Sequence, residues 1–157
     1  CLVGSEMCIR DRDCVRRILE EQGIPVWFGA DCHPMMDREN GAWATDLFEY
    51  GRVYDVDFDL DKEARVRYAD SAMNHAMAFV GVDVADDGHT TRRWRVENSW
   101  GDKIADKGYF TMSDDWFTEY VYEVAVPKAL LPDEYLKALE EPAQMLPAWD
   151  PMGALAQ

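Results

Sequence analysis

The stretch from Met73 to Gly101, MNHAMAFVGVDVADDGHTTRRWRVENSWG, limits what this chain can fold into more than any other. Asp87-Gly88 is a two-residue hairpin signal, because an Asp-Gly pair takes the φ > 0 conformations that a tight turn between right-twisted strands requires. On one side, His75 to Val84 is apolar and rich in β-branched and aromatic residues. On the other, Arg93, Trp94, Arg95 and Val96 alternate polar and apolar as a half-buried strand does. With Asp87 and Gly88 at the centre of the turn, Asp86 faces His89, and counting outward puts Met77 opposite Asn98 and His75 opposite Trp100. His75 and Asn98 are then diagonal neighbours on one face, roughly 7 Å apart at Cα and within reach of an imidazole-to-amide hydrogen bond. A slip of one residue turns every side chain of a strand to the other face, so register decides whether the pair meets.

That pairing has a chemical use. An imidazole working as a base must hold one tautomer and one orientation. An amide oxygen that accepts its Nδ1 hydrogen supplies both, and leaves Nε2 to face a nucleophile. Trp100, two residues past Asn98, is placed to lay an apolar ring over the hydrogen bond and keep water off it. His75 and Asn98 are the candidate catalytic pair, with Trp100 as their shield. The structural alternative for His75 is a satisfied residue at the edge of the core.

The surrounding residues carry a family pattern. His75-Ala76-Met77 with its apolar strand, then Glu97-Asn98-Ser99-Trp100-Gly101 and Lys107-Gly108-Tyr109-Phe110, resembles the His and Asn half of papain-like cysteine peptidases. PVWFG from Pro25, WRVENSWG from Trp94, WFTEYVYEV from Trp116 and LPAWDPMGAL from Leu146 resemble the bleomycin hydrolase and bacterial aminopeptidase C type, and the likeness runs from about Asp13 to Ala156. The resemblance implies an α+β papain-like fold: the β-barrel-like half that carries the His and Asn, with flanking helices and an extended carboxy-terminal tail. It implies removal of amino-terminal residues from peptides by a Cys-His-Asn triad without a cofactor, and assembly into homo-oligomers, hexamers in the family. In that family the tail lies in the active-site cleft and its terminal carboxylate receives the substrate's amino group, which assigns Ala154, Leu155, Ala156 and Gln157 to recognition of the substrate's amino terminus. Gln157 extends one residue beyond the usual Ala-Leu-Ala ending.

The nucleophile of such a triad is not in this sequence. The family places its cysteine in a QxCxxCW-like setting at a helix N-terminus, where the helix dipole and the imidazolium stabilise the thiolate. Cys1, Cys8, Cys14 and Cys32 have no such setting. The chain therefore reads as a carboxy-terminal part whose partner is the remainder of the peptidase chain with the catalytic Cys. A second reading is a non-catalytic peptide-binding or assembly module from a degenerate homologue. A third, a metal hydrolase using Asp31 and His33, is disfavoured because neighbouring residues of an extended segment point to opposite sides and no second ligand cluster is present, so no metal site is assigned.

Length and charge narrow the remaining classes. A chain of 157 residues is one domain's worth, and 48% hydrophobic content with six Trp argues for a packed core. The excess of 31 acidic over 16 basic residues gives a net charge of −15, which opposes binding to nucleic-acid phosphates and anionic membranes. No apolar run reaches the length of a membrane span. The four cysteines fall in the first fifth of the chain without CxxC spacing, and no signal peptide is visible, which fits a reducing, cytoplasmic compartment.

Along the chain, residues 1–12 have no period and read as a non-native leader. Residues 13–140 form the peptidase part, and residues 141–157 the extended tail. Asp13 is expected to cap a helix whose Val15, Ile18 and Leu19 share a face and which ends at Gly23. A strand is expected over Pro25 to Gly29, followed by a loop-rich region to Phe58 with Trp43, Leu47, Phe48 and Tyr50 as core anchors. Asp61 should cap a helix through Tyr68. Further on come a strand at Gly108 to Met112, a Ser113-capped helix over Asp114 to Tyr120, a strand over Val121 to Val126 and a helix from Pro132 to about Glu140. Pro142, Pro147 and Pro151 keep the tail extended, while Trp149, Met152 and Leu155 are apolar side chains that need a receiving surface.

Overall fold

The computed structural model describes residues 12–58, 60–131, 133–142, 145, 147 and 149. Helix α1 covers residues 12–17 and runs on into a π-helical turn, Ile18–Gln22, which stops at Gly23 in the left-handed conformation (φ 63°). Val15 and Ile18 are fully buried, as their spacing requires. Asp13 lies inside the helix and does not cap it; its carboxylate pairs with Arg16 one turn on, at 3.8 Å. Arg12 is integrated into the fold, with its guanidinium 3.2 Å from Asp114 and over the ring of Phe117.

Strand β1 (Val26–Ala30) begins after Pro25, whose ring nitrogen has no hydrogen to give a ladder. Two short strands, β2 (Met36–Asp37) and β3 (Ala42–Trp43), follow. Then come α2 (Tyr50–Tyr54) and α3 (Lys62–Arg67), the latter capped by Asp61, whose side chain accepts from Ala64 N. The long strands β4 (His75–Val84) and β5 (Thr91–Glu97) form the hairpin, and β6 (Tyr109–Ser113) leads directly into α4 (Asp114–Tyr120), capped by the Ser113 hydroxyl. Strand β7 (Val121–Val124) and helix α5 (Asp133–Glu140) are the last strand and helix among the described residues.

Among the described residues, the seven strands form one sheet in the order β2-β3-β6-β5-β4-β1-β7, antiparallel except where β3 meets β6. The core lies where α1 and α4 cover this sheet: Phe28 stacks on Phe79 with ring centres 3.8 Å apart, and Phe79, Trp94 and Phe117 pack within about 5 Å of one another. Buried aromatics of this size contribute about 1.5–3 kcal/mol each through burial alone. Trp94 also donates its indole N–H to Asp114, so the charge at the start of α4 satisfies a polar atom within the core.

The hairpin keeps the expected register by an unexpected route. Its turn is a four-residue loop, Asp86 to His89, closed by Ala85 N donating to Thr90 O. Asp87 does not take φ > 0; its carboxylate instead accepts from the backbone N–H groups of His89 and Thr90 and from the Thr90 hydroxyl, and Gly88 alone carries the positive φ of 71°. Asp is well suited to this role because its short side chain reaches backbone donors two and three residues on. Ladder pairs nearest the far end, Phe79↔Val96 and Ala78↔Glu97, are those obtained by counting outward from an Asp87-Gly88 turn.

Two expectations for the loop-rich region fail. Trp43 is buried, but Phe48 and Tyr50 are 42% and 49% exposed and pack on each other, not on the core. Helix α2 buries none of its residues. Trp149 is likewise 81% exposed, so it does not anchor the tail on the described part of this chain. Met152 and Leu155 lie outside the described residues. No described helix is long and apolar enough to cross a membrane.

Candidate active site

His75 is the first residue of β4 and pairs with Ala30, the last residue of β1. Met77 and Phe79, two and four residues on, are buried in the core, so period-2 alternation puts His75 on the core-facing side where the core ends. Val96 and Trp94 do the same for Asn98, which lies one residue past the end of β5 and is buried. The Asn98 backbone is held by its N–H to Gly108 O, 3.1 Å, where Gly108 has φ 89° and a Cβ would come to 3.2 Å of Gly101 O. A side chain at position 108 would be strained by the backbone conformation and tight against Gly101 O.

His75 Nε2 and Asn98 Oδ1 are 2.9 Å apart. The same Oδ1 is 2.7 Å from Ser99 N. A backbone N–H only donates, so the atom it meets must be the amide oxygen, and the imidazole nitrogen meeting that oxygen must carry a hydrogen. His75 therefore carries its hydrogen on Nε2 when the ring is neutral, and Nδ1 is the nitrogen turned away from Asn98. This reverses the nitrogens expected from sequence: Asn98 accepts from Nε2, and Nδ1 is the nitrogen outside that hydrogen bond. Trp100 stacks on the imidazole, ring centres 5.2 Å apart and planes at 18°, and is itself wedged edge-on against Phe110.

Neither described cysteine lies at the surface. Cys14 and Cys32 are both buried, and the Cys14 thiol donates to Leu130 O at 3.5 Å. Burial pushes the Cys32 thiol up to about 11, and the neighbouring Asp31 charge adds to the effect, so the reactive thiolate is scarce near neutrality. Among the described residues, no three His, Cys, Asp or Glu side chains come together as a metal site. His33 is exposed, with Nδ1 4.0 Å from Asp31 Oδ1, while Asp31 is turned inward. Ala154, Leu155, Ala156 and Gln157 lie outside the described residues.

Compared with known families, residues 13–153 match the Peptidase C1-like family. This chain belongs to that family. Over 140 residues it is 46% identical to the Aminopeptidase C of Lactobacillus delbrueckii subsp. lactis, covering 87% of this chain and 30% of that protein. It is 44% identical over 140 residues to the Bleomycin hydrolase of Homo sapiens, with the same two coverages. A crystal structure of PepW from Lactobacillus rhamnosis HN001 superposes with a TM-score of 0.83 at 39% identity, over 92% of this chain and 32% of that one. The chain therefore spans about 30% of the length of the relatives it matches. Its fold is that of a papain-like cysteine peptidase, α+β, and the sheet carrying His75 and Asn98 is the barrel-like half.

Several residues around this peptidase C1-like site carried no signal in the sequence. Arg38 sets its guanidinium 5.2 Å from the Trp100 ring centre. Asp31, considered only as a metal ligand, is instead a buried acceptor for Ser71 and Asn74. The one available hint was that Asn74 directly precedes His75.

Proposed function

We propose that this chain is the carboxy-terminal part of a cysteine aminopeptidase that removes amino-terminal residues from peptides, with His75 as general base and acid, Asn98 as its orienter and Trp100 as its shield. The observation that carries the reading is the fixed Nε2–H tautomer: the hydrogen bonds to Asn98 leave Nδ1 as the free basic atom at the end of the core. A thiol supplied by the remainder of the parent chain gives its proton to Nδ1, attacks the peptide carbonyl, and leaves an acyl-enzyme as the same proton passes to the departing amine. Stacking on Trp100 excludes water from one face of the ring and so strengthens its hydrogen bond. Names of relatives in two lineages, Aminopeptidase C and Bleomycin hydrolase, support this chemistry.

The tail is assigned by resemblance to the cleft, with Ala154, Leu155, Ala156 and Gln157 meeting the amino terminus of the substrate there. Homo-oligomeric assembly and a cytoplasmic location belong to the same reading.

The test is activity with and without the remainder of the parent. Expressed alone, this chain should not hydrolyse a fluorogenic aminoacyl substrate, with or without dithiothreitol. The complete chain encoded with the sequence upstream of Asp13 should do so in a thiol-dependent way. Turnover by the 157-residue chain alone would make Cys14 or Cys32 the nucleophile. A complete chain that binds peptides without turnover would favour the non-catalytic module.

A further inference from the structure

We propose that Asp31 is a positioning residue for His75: its buried carboxylate clamps both ends of the loop that delivers the chain to His75, acting through Ser71 at one end and Asn74 at the other. The inference rests on the reading of His75 as the base and goes beyond it by naming what holds that base in place.

Asp31 is 5% exposed, and it is the one buried ionisable carboxyl among the described residues. Its Oδ2 accepts from Ser71 Oγ at 2.8 Å and its Oδ1 from Asn74 Nδ2 at 2.6 Å. Having donated to Asp31, the Ser71 hydroxyl can only accept from Tyr122 OH, 2.7 Å away, so β7 feeds the same network. Asn74 is tied to the end of β1 and the residues after it at four points: its backbone N–H to Ala30 O at 3.1 Å, its Oδ1 to Cys32 N at 3.1 Å, and its Nδ2 to Asp31 and, at 3.2 Å, to His33 Nδ1. Between the two clamped residues, Met73 lies flat on β1, where Gly29 makes room; a Cβ there would come to 2.1 Å of the Met73 sulfur.

His75 needs such a clamp because it sits at the first position of its strand. Beyond the Ala30↔His75 pair the ladder ends, and strand ends open locally at little cost. Its ring must nevertheless hold Nε2 at 2.9 Å from Asn98. Charge-assisted acceptance by a buried carboxylate is well suited to this, because an unpaired buried charge would cost more than the loop gains by swinging free. The carboxyl touches neither imidazole nor substrate, so its effect passes through Asn74 to the backbone of His75.

The experiment is nitrogen NMR of the two His75 ring nitrogens in the 157-residue chain, at a pH where the imidazole is neutral, with the melting temperature measured alongside. The wild-type chain should show one protonated and one bare ring nitrogen, well separated in shift, as the single Nε2–H tautomer requires. Asp31→Asn preserves shape but can accept from only one of its two donors; Asp31→Ala accepts from neither. Both should bring the two shifts together as tautomers mix. The exchange Asp31→Asn with Asn74→Asp restores a donor opposite each acceptor and should restore the separation. Ser113→Ala, which uncaps α4 away from the loop, should lower the melting temperature without moving the His75 shifts.

Unmoved His75 shifts in folded Asp31→Asn would overturn the proposal, and so would equal movement in Ser113→Ala or a folded exchange variant that fails to restore the separation. Failure of the underlying reading looks different: the wild-type chain would then show no single tautomer, or Asn98→Ala would leave the shifts unchanged.

Discussion

Val80 in β4 and Arg92 in β5 are extra residues of opposite effect on facing strands. Between Phe79↔Val96 and Gly81↔Arg95 the ladder skips Val80; between Asp83↔Arg93 and Val84↔Thr91 it skips Arg92. Each shifts the register by one and the second undoes the first, so both ends of the hairpin share a register that its middle does not. Deleting Val80 alone should therefore slip the site end against Asn98 or force the loop to reorganise, while deleting Val80 and Arg92 together should preserve the His75–Asn98 hydrogen bond. Nitrogen NMR of His75 on both deletions checks this. A single deletion that leaves the imidazole signals as in wild type would show that the register at the site does not depend on the bulges.

In the complete enzyme, His75→Ala should do far more damage than Asn98→Ala. The general acid–base contribution is about 10²–10⁴-fold, whereas Asn98 only fixes the tautomer and direction of the ring. The Asn98 loss should fall on kcat and largely spare substrate binding. Steady-state kinetics on a free-amino peptide decides it, and equal losses, or a change confined to KM, would contradict the assigned roles.

The Cys32 thiol gives a pH-dependent readout. Its folded pKa is raised from 9.0 to about 11, so the native state favours the neutral form. The stabilisation is complete below pH 9 and is lost as pH rises through about 11. The decline in urea midpoint over that interval should be smaller in Cys32→Ala than in the wild-type chain. Iodoacetamide at pH 8 should leave Cys32 unmodified in the native protein and alkylate it in urea, as read by peptide mass spectrometry; rapid native labelling would show an accessible thiolate.

Removal of Gly153 to Gln157 from the complete enzyme should open the cleft. A charge-assisted pair between a terminal carboxylate and a substrate ammonium contributes about 1.5–3 kcal/mol, or roughly one to two orders of magnitude in preference. The truncated enzyme should lose aminopeptidase rate and gain endopeptidase activity on an acetyl-capped peptide. Rates on free and capped peptides, measured with both forms, give the ratio; an unchanged ratio removes the tail from substrate selection.

Much of this site was legible because its signals are local. Alternation in Arg93 to Val96 gives the buried face of β5, the apolar run after His75 gives β4, and Asp61 and Ser113 cap the helices expected of them. The position of Asn98 relative to His75 followed from counting, and survived because two bulges cancel. What was misread depends on groups distant in sequence or on competition between local options. The choice between Nε2 and Nδ1 hangs on where the Ser99 N–H points, and the turn form on Asp87 preferring backbone donors to a positive φ.

The residues of the chain, by spacing and type alone, determined a hairpin with His75 and Asn98 on a common face and the helices around it, because periodicity and capping act over a few residues. Only the tertiary structure decided which imidazole nitrogen meets Asn98, which aromatics reach the core, and that Asp31, forty residues before Ser71, accepts from both Ser71 and Asn74 in the loop leading to His75. Those outcomes follow from packing three-dimensional surfaces and satisfying buried polar atoms, and neither condition is expressed in any short window of sequence.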